Sequence, residues 1–226
     1  MKVSRLFFIL LISAAPAFAF ESTPTLAVLD FENNSFFKPE EVQALSKGLA
    51  QIMITELNGS GAIRVVERQK LRSLMDELKL SQSGMVSEQG SLQVGKLIGA
   101  KHLVFGGYMV MMDDKIRIDV RIIEVETGLT LKAGEVTGKT KDVLSLVQKL
   151  SNKILKDLNI MLTENGETPG RISIDALKLF SKGIEFEDKG DTARALECYR
   201  KAMDQEPDFQ QAKDRAARLY KRPKNE

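Results

Sequence analysis

The chain has 226 residues, with 33 basic and 31 acidic side chains and a formal net charge of +2 at pH 7. So even a balance leaves no electrostatic footprint for nucleic acid or an anionic membrane. One cysteine, Cys198, and one histidine, His102, exclude an intramolecular disulfide and supply too few soft ligands for a zinc site.

Residues 1–19 read as a secretory signal peptide. Lys2 and Arg5 form the positive start, an apolar run covers 6–12, and Ala17-Phe18-Ala19 is a small-x-small cleavage pattern. The apolar run is too short for a membrane span, which needs about 20 residues. Lys2 and Arg5 are the only charges of the leader, so the exported chain carries 31 of each sign.

Residues 20–162 alternate strand and helix patterns. Leu-Ala-Val-Leu-Asp-Phe at 26–31 is a nearly continuous apolar run, expected of a strand buried on both faces. Pro39 opens a helix over 39–57, where Val42, Leu45, Leu49, Ile52, Met53 and Leu57 recur at helical spacing. Asn58-Gly59-Ser60-Gly61 ends it as a plain turn. It stands after a helix, in the wrong order for a phosphate loop. A short strand follows at 63–66 and an amphipathic helix at 69–78, with Leu71, Leu74, Met75 and Leu78 on one face. Residues 92–98 form a shorter helix closed by Gly99. Strands at 103–112 and 116–125 make a hairpin around Asp113-Asp114-Lys115, and Thr127-Gly128 turns into a third strand at 129–138. An amphipathic helix at 143–158 closes the unit. The predicted fold class is therefore α/β, a mixed sheet with packed helices.

Residues 163–171 are polar, rich in glycine and proline, and read as a linker. Residues 172–222 then carry Leu179, Gly183, Phe186, Gly190-Asp191, Ala195, Tyr199, Ala202 and Pro207, spacings that match one tetratricopeptide (TPR) repeat followed by a capping helix. Lys182 departs from that pattern, which places an apolar residue there. Arrays of this kind need about three repeats for stability, so this all-α hairpin is expected to lean on the first unit or on a partner.

Four stretches carry a family resemblance: L-A-V-L-D-F-E-N at the first strand, V-V-E-R-Q at 65–69, I-G-A-K-H-L-V with Gly106-Gly107, and R-I-I-E-V-E-T-G at 121–128. Over residues 25–158 they resemble the CsgG family, the curli-secretion channel subunits and their periplasmic relatives. The resemblance implies an α/β domain like the amino-terminal domain of TolB. It implies self-association and partner binding, with no enzymatic chemistry and no cofactor. Many relatives are lipoproteins with a cysteine at the cleavage site; here that cysteine is missing, so a lipid anchor of that type is not expected. The long membrane-inserting hairpins of the channel subunits are not evident either. The alternative is that the 103–125 hairpin inserts on oligomerisation, with Arg117, Asp119 and Arg121 lining a lumen.

The resemblance makes Glu67, Arg68 and Gln69 candidates for a subunit contact. The plainer reading has Glu67 favouring the positive helix end and Arg68 solvated. Arg117 and Arg121 join them as oligomer-interface candidates. Phe36 and Phe37 sit in a loop, either folded back on the core or forming a docking patch. With Leu179, Lys182, Phe186 and Tyr199 of the TPR segment they are the partner-binding candidates. Met75, Met85, Met109, Met111 and Met112 are expected to fill core gaps, and Cys198 to be half-buried and inert. No metal, cofactor or catalytic residue is expected. The chain reads as a homo-oligomer in the periplasm, peripheral at the outer membrane, recruiting a protein partner through its helical segment.

Overall fold

The structure is a computed structural model that describes residues 24–77, 88–160 and 170–221. The expected leader at 1–19, Leu78, Met85 and nearly all of the expected linker lie outside the described residues.

The elements run β1 (Thr25–Val28), β2 (Glu32–Asn33), α1 (Pro39–Val42), α2 (Leu45–Gly59), β3 (Arg64–Val65), α3 (Arg68–Glu77) and α4 (Glu88–Leu97). They continue as β4 (His102–Met111), β5 (Lys115–Glu124), β6 (Thr130–Lys139), α5 (Val143–Asp157), α6 (Ile174–Asp188), α7 (Thr192–Gln205) and α8 (Gln210–Lys221). One mixed sheet has the order β3-β1-β4-β5-β6, with β2 pairing β4. β1 is parallel to β3 and β4, while β4, β5 and β6 are antiparallel neighbours. The expected α/β class is what the chain adopts.

Alternation along β4 and β5 sorts their side chains between two cores. Val104, Tyr108, Ile116, Ile118, Val120 and Ile122 point to one face and join α2 and α5 in the main core. Leu103 and Phe105 point to the other, where α3 and α4 cover only the β1–β4 half with Leu71, Val94 and their neighbours. On β6 the positions under α5 are Gly134 and Gly138. A Cβ at Gly138 would stand 2.8 Å from Leu146. The glycines let that helix lie close to the strand.

Two expected elements are broken, for visible reasons. The run at 26–31 leaves the sheet after Val28, because the Phe31 amide and carbonyl bond to Ser46 instead of a strand. The helix expected at 39–57 breaks between α1 and α2. The Tyr108 hydroxyl donates to the Val42 carbonyl at 2.8 Å, and the Asn33 side-chain amide donates to the Pro39 carbonyl at 2.8 Å, so those acceptors are taken from outside the helix. In the other direction, α4 starts at Glu88, before the expected 92. Gly90 and Gly95 weaken the helical signal, and Gly95 is there so that α4 can rest on Val125, 3.0 Å from where a Cβ would be. The methionines divide: Met75 packs against the second core as expected, Met109 and Met111 are only partly covered, and Met112 is exposed at the β4–β5 turn.

Helix α6 packs against α2, α7 against α6 and α8 against α7, and together they extend the main core through Leu177, Phe180, Tyr199, Phe209 and Leu219. Ser173 caps α6 and Asp191 caps α7, each accepting from a backbone amide three residues on. Between them Gly190 has φ 76°, the left-handed turn that glycine adopts without strain. Gly183 of α6 faces Tyr199 of α7, and a Cβ there would fall 2.4 Å from a fully buried ring. Gly183→Ala is therefore expected to cost about 1–3 kcal/mol through overpacking, read as a lowered midpoint in urea unfolding.

Candidate functional site

The candidate site is built where β1 and β3 end. Each strand delivers one charge just beyond its carboxyl end: Asp30 after β1, and Arg68 as the first residue of α3. The Arg68 guanidinium is 6 % exposed. It binds Asp30 through two parallel bonds, Nε to Oδ1 at 2.8 Å and Nη2 to Oδ2 at 3.0 Å. Its remaining nitrogen, Nη1, donates to Asp188 at the end of α6, 2.8 Å to Oδ1 and 2.9 Å to Oδ2.

Asp188 also accepts from Lys47 Nζ of α2 at 3.1 Å and from Arg72 Nη1 of α3. Its side chain is only 2 % exposed. Burial alone would raise its pKa, but Arg68, Lys47 and Arg72 together hold it below the ordinary aspartate value. For Arg68 burial works against the charge, and Asp30 and Asp188 outweigh it, so the guanidinium is held firmly protonated.

A second carboxylate next door serves α8. Glu187 accepts from the Tyr199 hydroxyl at 2.8 Å, from Arg215 Nη1 at 2.9 Å and from the Gln69 side-chain amide at 3.4 Å. Arg215 in turn reaches Gln51 Oε1 on α2. Five helices and two strand ends thus meet in one polar network.

Clefts flank Arg68 on both sides. One of about 560 Å³ opens at the carboxyl end of β1 beside the middle of β4, lined by Leu29, Phe31, Lys47, Arg72, Phe105 and Ser91. The Ser91 hydroxyl there is buried without a hydrogen-bond partner. The other, about 580 Å³, runs between α2, α3 and α8 past Gln51, Gln69 and Arg218. The charges in the network satisfy one another, so its chemistry is to hold elements in place. Among the described residues no group of three His, Cys, Asp or Glu side chains could hold a metal ion. His102 opens β4 with Nδ1 buried and unpartnered; burial, then Lys101, pushes its pKa down while Glu124 opposes. Burial, then Glu197, raises the half-buried Cys198 thiol.

The sequence-derived candidates scatter. Arg68 is not solvated: its guanidinium is spent on Asp30 and Asp188, and Gln69 leans on α6, leaving Glu67 exposed beside them. Arg117 and Arg121 lie on the uncovered face of β5. Arg117 pairs with Asp119 at 2.8 Å and with Glu135, while Arg121 pairs with Glu88 at 3.1 Å over the Phe105 ring. Phe36 and Phe37 stand out from the loop before α1 at 90 % and 55 % exposure, while the buried Ser35 beside them accepts from the Val110 amide and ties the loop to β4. In the helical segment Lys182 is exposed, and Leu179 and Phe186 are partly covered, with Arg194 over the Phe186 ring. Tyr199 is fully buried and offers an incoming partner no surface.

Sequence reasoning missed Asp30, Lys47, Gln51, Arg72, Glu187, Asp188 and Arg215. Two signals existed. Glu187 and Asp188 close a helix whose C-terminal end disfavours negative charge, and Gly48 stands inside the amphipathic α2, a mark of close approach.

A family model described as "Curli production assembly/transport component CsgG" matches residues 11–111. The match supports the CsgG family. It spans the network residues Asp30, Lys47, Arg68 and Arg72 and ends with β4. No curated protein matches the chain. Among solved structures the chain is similar to the LpoB C-terminal domain from Salmonella enterica, at 16 % identity, 52 % of this chain, 83 % of that chain and TM-score 0.40. It is also similar to lipoprotein GNA1162 from Neisseria meningitidis, at 13 % identity, 59 % of this chain, 98 % of that chain and TM-score 0.41. For the PelC dodecamer from Paraburkholderia phytofirmans the figures are 13 %, 59 %, 86 % and 0.35.

Asp188→Asn removes the shared counter-charge of three cations and is expected to cost about 3 kcal/mol, as breaking a buried pair does, measured by chemical denaturation. Acid should act on the same contact. Because Asp188 is held below its ordinary value of 3.8, its stabilisation is complete above that pH and is lost as pH falls through the lower folded value. The gap in thermal midpoint between the native chain and Asp188→Asn should therefore narrow below about pH 4.

Proposed function

We propose that the chain is a non-enzymatic, exported scaffold of the CsgG type. It works in the periplasm or peripherally at the outer membrane, self-associates through the α/β unit at 20–162, and engages a protein partner through a TPR-like helical unit at 172–222. The observation that carries this reading is the CsgG match over residues 11–111, together with a sheet that stays half open. The outer faces of β5 and β6 carry Arg117, Asp119, Arg121, Ala133 and Glu135, and among the described residues only the start of α4 reaches them, through the Glu88–Arg121 pair; β6 is a ten-residue edge strand. Long unprotected edges invite pairing with another chain. Exposed Leu129 and Leu131 at the start of β6 add apolar surface to that edge. The half-open face is also where Arg117 and Arg121, two of the interface candidates, lie.

Phe36 and Phe37 form a second accessible patch for a partner. Gln69, which reaches Glu187 of α6, suits an intramolecular role better than a subunit contact, while the exposed Glu67 beside it stays an interface candidate.

A channel subunit is the weaker reading. It requires β4 and β5 to leave the sheet, yet Ile116, Ile118, Val120 and Ile122 are buried under α2 and α5. No helix among the described residues is long and apolar enough to cross a membrane.

Light scattering of residues 20–226, in buffer and with liposomes, tests the proposal. A discrete soluble oligomer is expected, and Ala133→Lys on the open face should reduce it to monomer. A monomer at every concentration would overturn self-association. Co-flotation with liposomes and dye leakage would move the channel reading ahead.

A further inference from the structure

The face of α6 turned away from α7 is already filled by α2, and α8 reaches α2 through Arg215. At its middle, Gly48 of α2 lies against α6 so closely that an added Cβ would stand 2.0 Å from Ser181 Oγ and 3.2 Å from Leu177 Cδ1. At one end of the contact Lys47 Nζ reaches Asp188 at 3.1 Å. From the other side, Arg215 of α8 grips the Gln51 side-chain oxygen. Lys47, Gly48 and Gln51 share one stripe of α2, since i and i+4 are neighbours on a helix surface. Leu45, Leu49, Ile52 and Met53 occupy the opposite stripe and belong to the core beneath the sheet. The α2 helix is therefore read on two faces, by the sheet and by the C-terminal helices.

The three contacts on the outer stripe are specific in kind. Only glycine admits α6 at this distance. Lys47 answers the acid at the end of α6, where the helix itself disfavours negative charge. Gln51 is buried and gives Arg215 its acceptor, and losing either partner leaves a buried polar group unpaired. A chance packing of two amphipathic helices does not require all three.

We infer that α6–α8 form a helix-binding groove that α2 occupies in cis. The groove's ligand class is an amphipathic helix with a basic residue, a glycine directly after it, and a side-chain amide three positions beyond the glycine. A partner segment of that chemistry enters only by displacing α2. This inference rests on packing alone and is independent of the self-association reading.

Hydrogen exchange on the full chain tests the packing. Gly48→Ala forces its Cβ onto Ser181 Oγ, and amide exchange in α6 and α8 should rise by about tenfold, the fold-change an overpacked contact produces. Adding Ser181→Ala removes the clashing oxygen and should restore the native rates. A fluorescein-labelled peptide of residues 43–59, read by anisotropy, tests recognition. It should bind the Gly48→Ala chain and ignore both the native chain and the Gly48→Ala/Ser181→Ala chain. If Gly48→Ala does not fold, Lys47→Ala with Gln51→Ala loosens the same contact without touching the apolar stripe, and peptide binding is expected there instead. Native exchange rates in Gly48→Ala would overturn the inference. So would an opened groove that leaves the peptide free, or a native chain that binds it.

Discussion

Asp188 sets the constraint on which the rest of the arrangement depends. A carboxylate removed from water at the end of a helix is unfavourable twice, by desolvation and by the helix dipole. It is tolerable here because α2 and α3 bring Lys47, Arg68 and Arg72 to it from two directions. Arg68 then needs its own second anion, and Asp30 at the end of β1 provides one. Removing any of these elements would leave a buried charge without its partner. The network therefore specifies one relative position for the sheet, α2, α3 and α6, a role better attested for buried polar groups than net stabilisation.

Glycines set the distances that the charges require. Gly48 lets α6 approach α2, Gly183 admits the Tyr199 ring, and Gly138 brings α5 down onto β6. At Gly106 an added Cβ would stand 2.4 Å from the Phe31 ring, so that residue keeps β4 beside the segment leaving β1. With close approach fixed at these points, the Arg68 guanidinium meets both of its carboxylates at ordinary lengths. The same closeness turns α2 into a shared element: one stripe supports the sheet and the other is held by the C-terminal helices.

The sheet divides the molecule by how far the described helices cover it. Its β3-β1-β4 half is covered on both faces and carries the strand ends from which the network grows. Its β5-β6 half is covered on one face only. Arg117, Arg121 and Glu135 keep the open face polar through pairs that are exposed and so individually weak. Charged pairs of this kind keep an open sheet soluble while leaving it free to meet another surface.

The sequence by itself determined the class of fold and the place of most elements, because periodicity is a local property. Alternation in β5, the heptad-like spacing of α5, and the small and aromatic positions of α6 and α7 all survive inspection of neighbouring residues alone. The CsgG resemblance was legible for the same reason, in short strand and turn words such as V-V-E-R-Q. Boundaries failed where distant groups took local hydrogen bonds, as Tyr108 and Asn33 do at the break between α1 and α2. The site was legible only in part. Arg68 stood out by its motif, while Asp30, Lys47 and Asp188 looked like ordinary surface charges. Their partners lie as far as 141 residues away along the chain, and no spacing rule spans such a separation. Only the tertiary structure decided which charges are buried together, because that depends on how closely helices approach, and the glycines that permit it act through residues they touch only after folding.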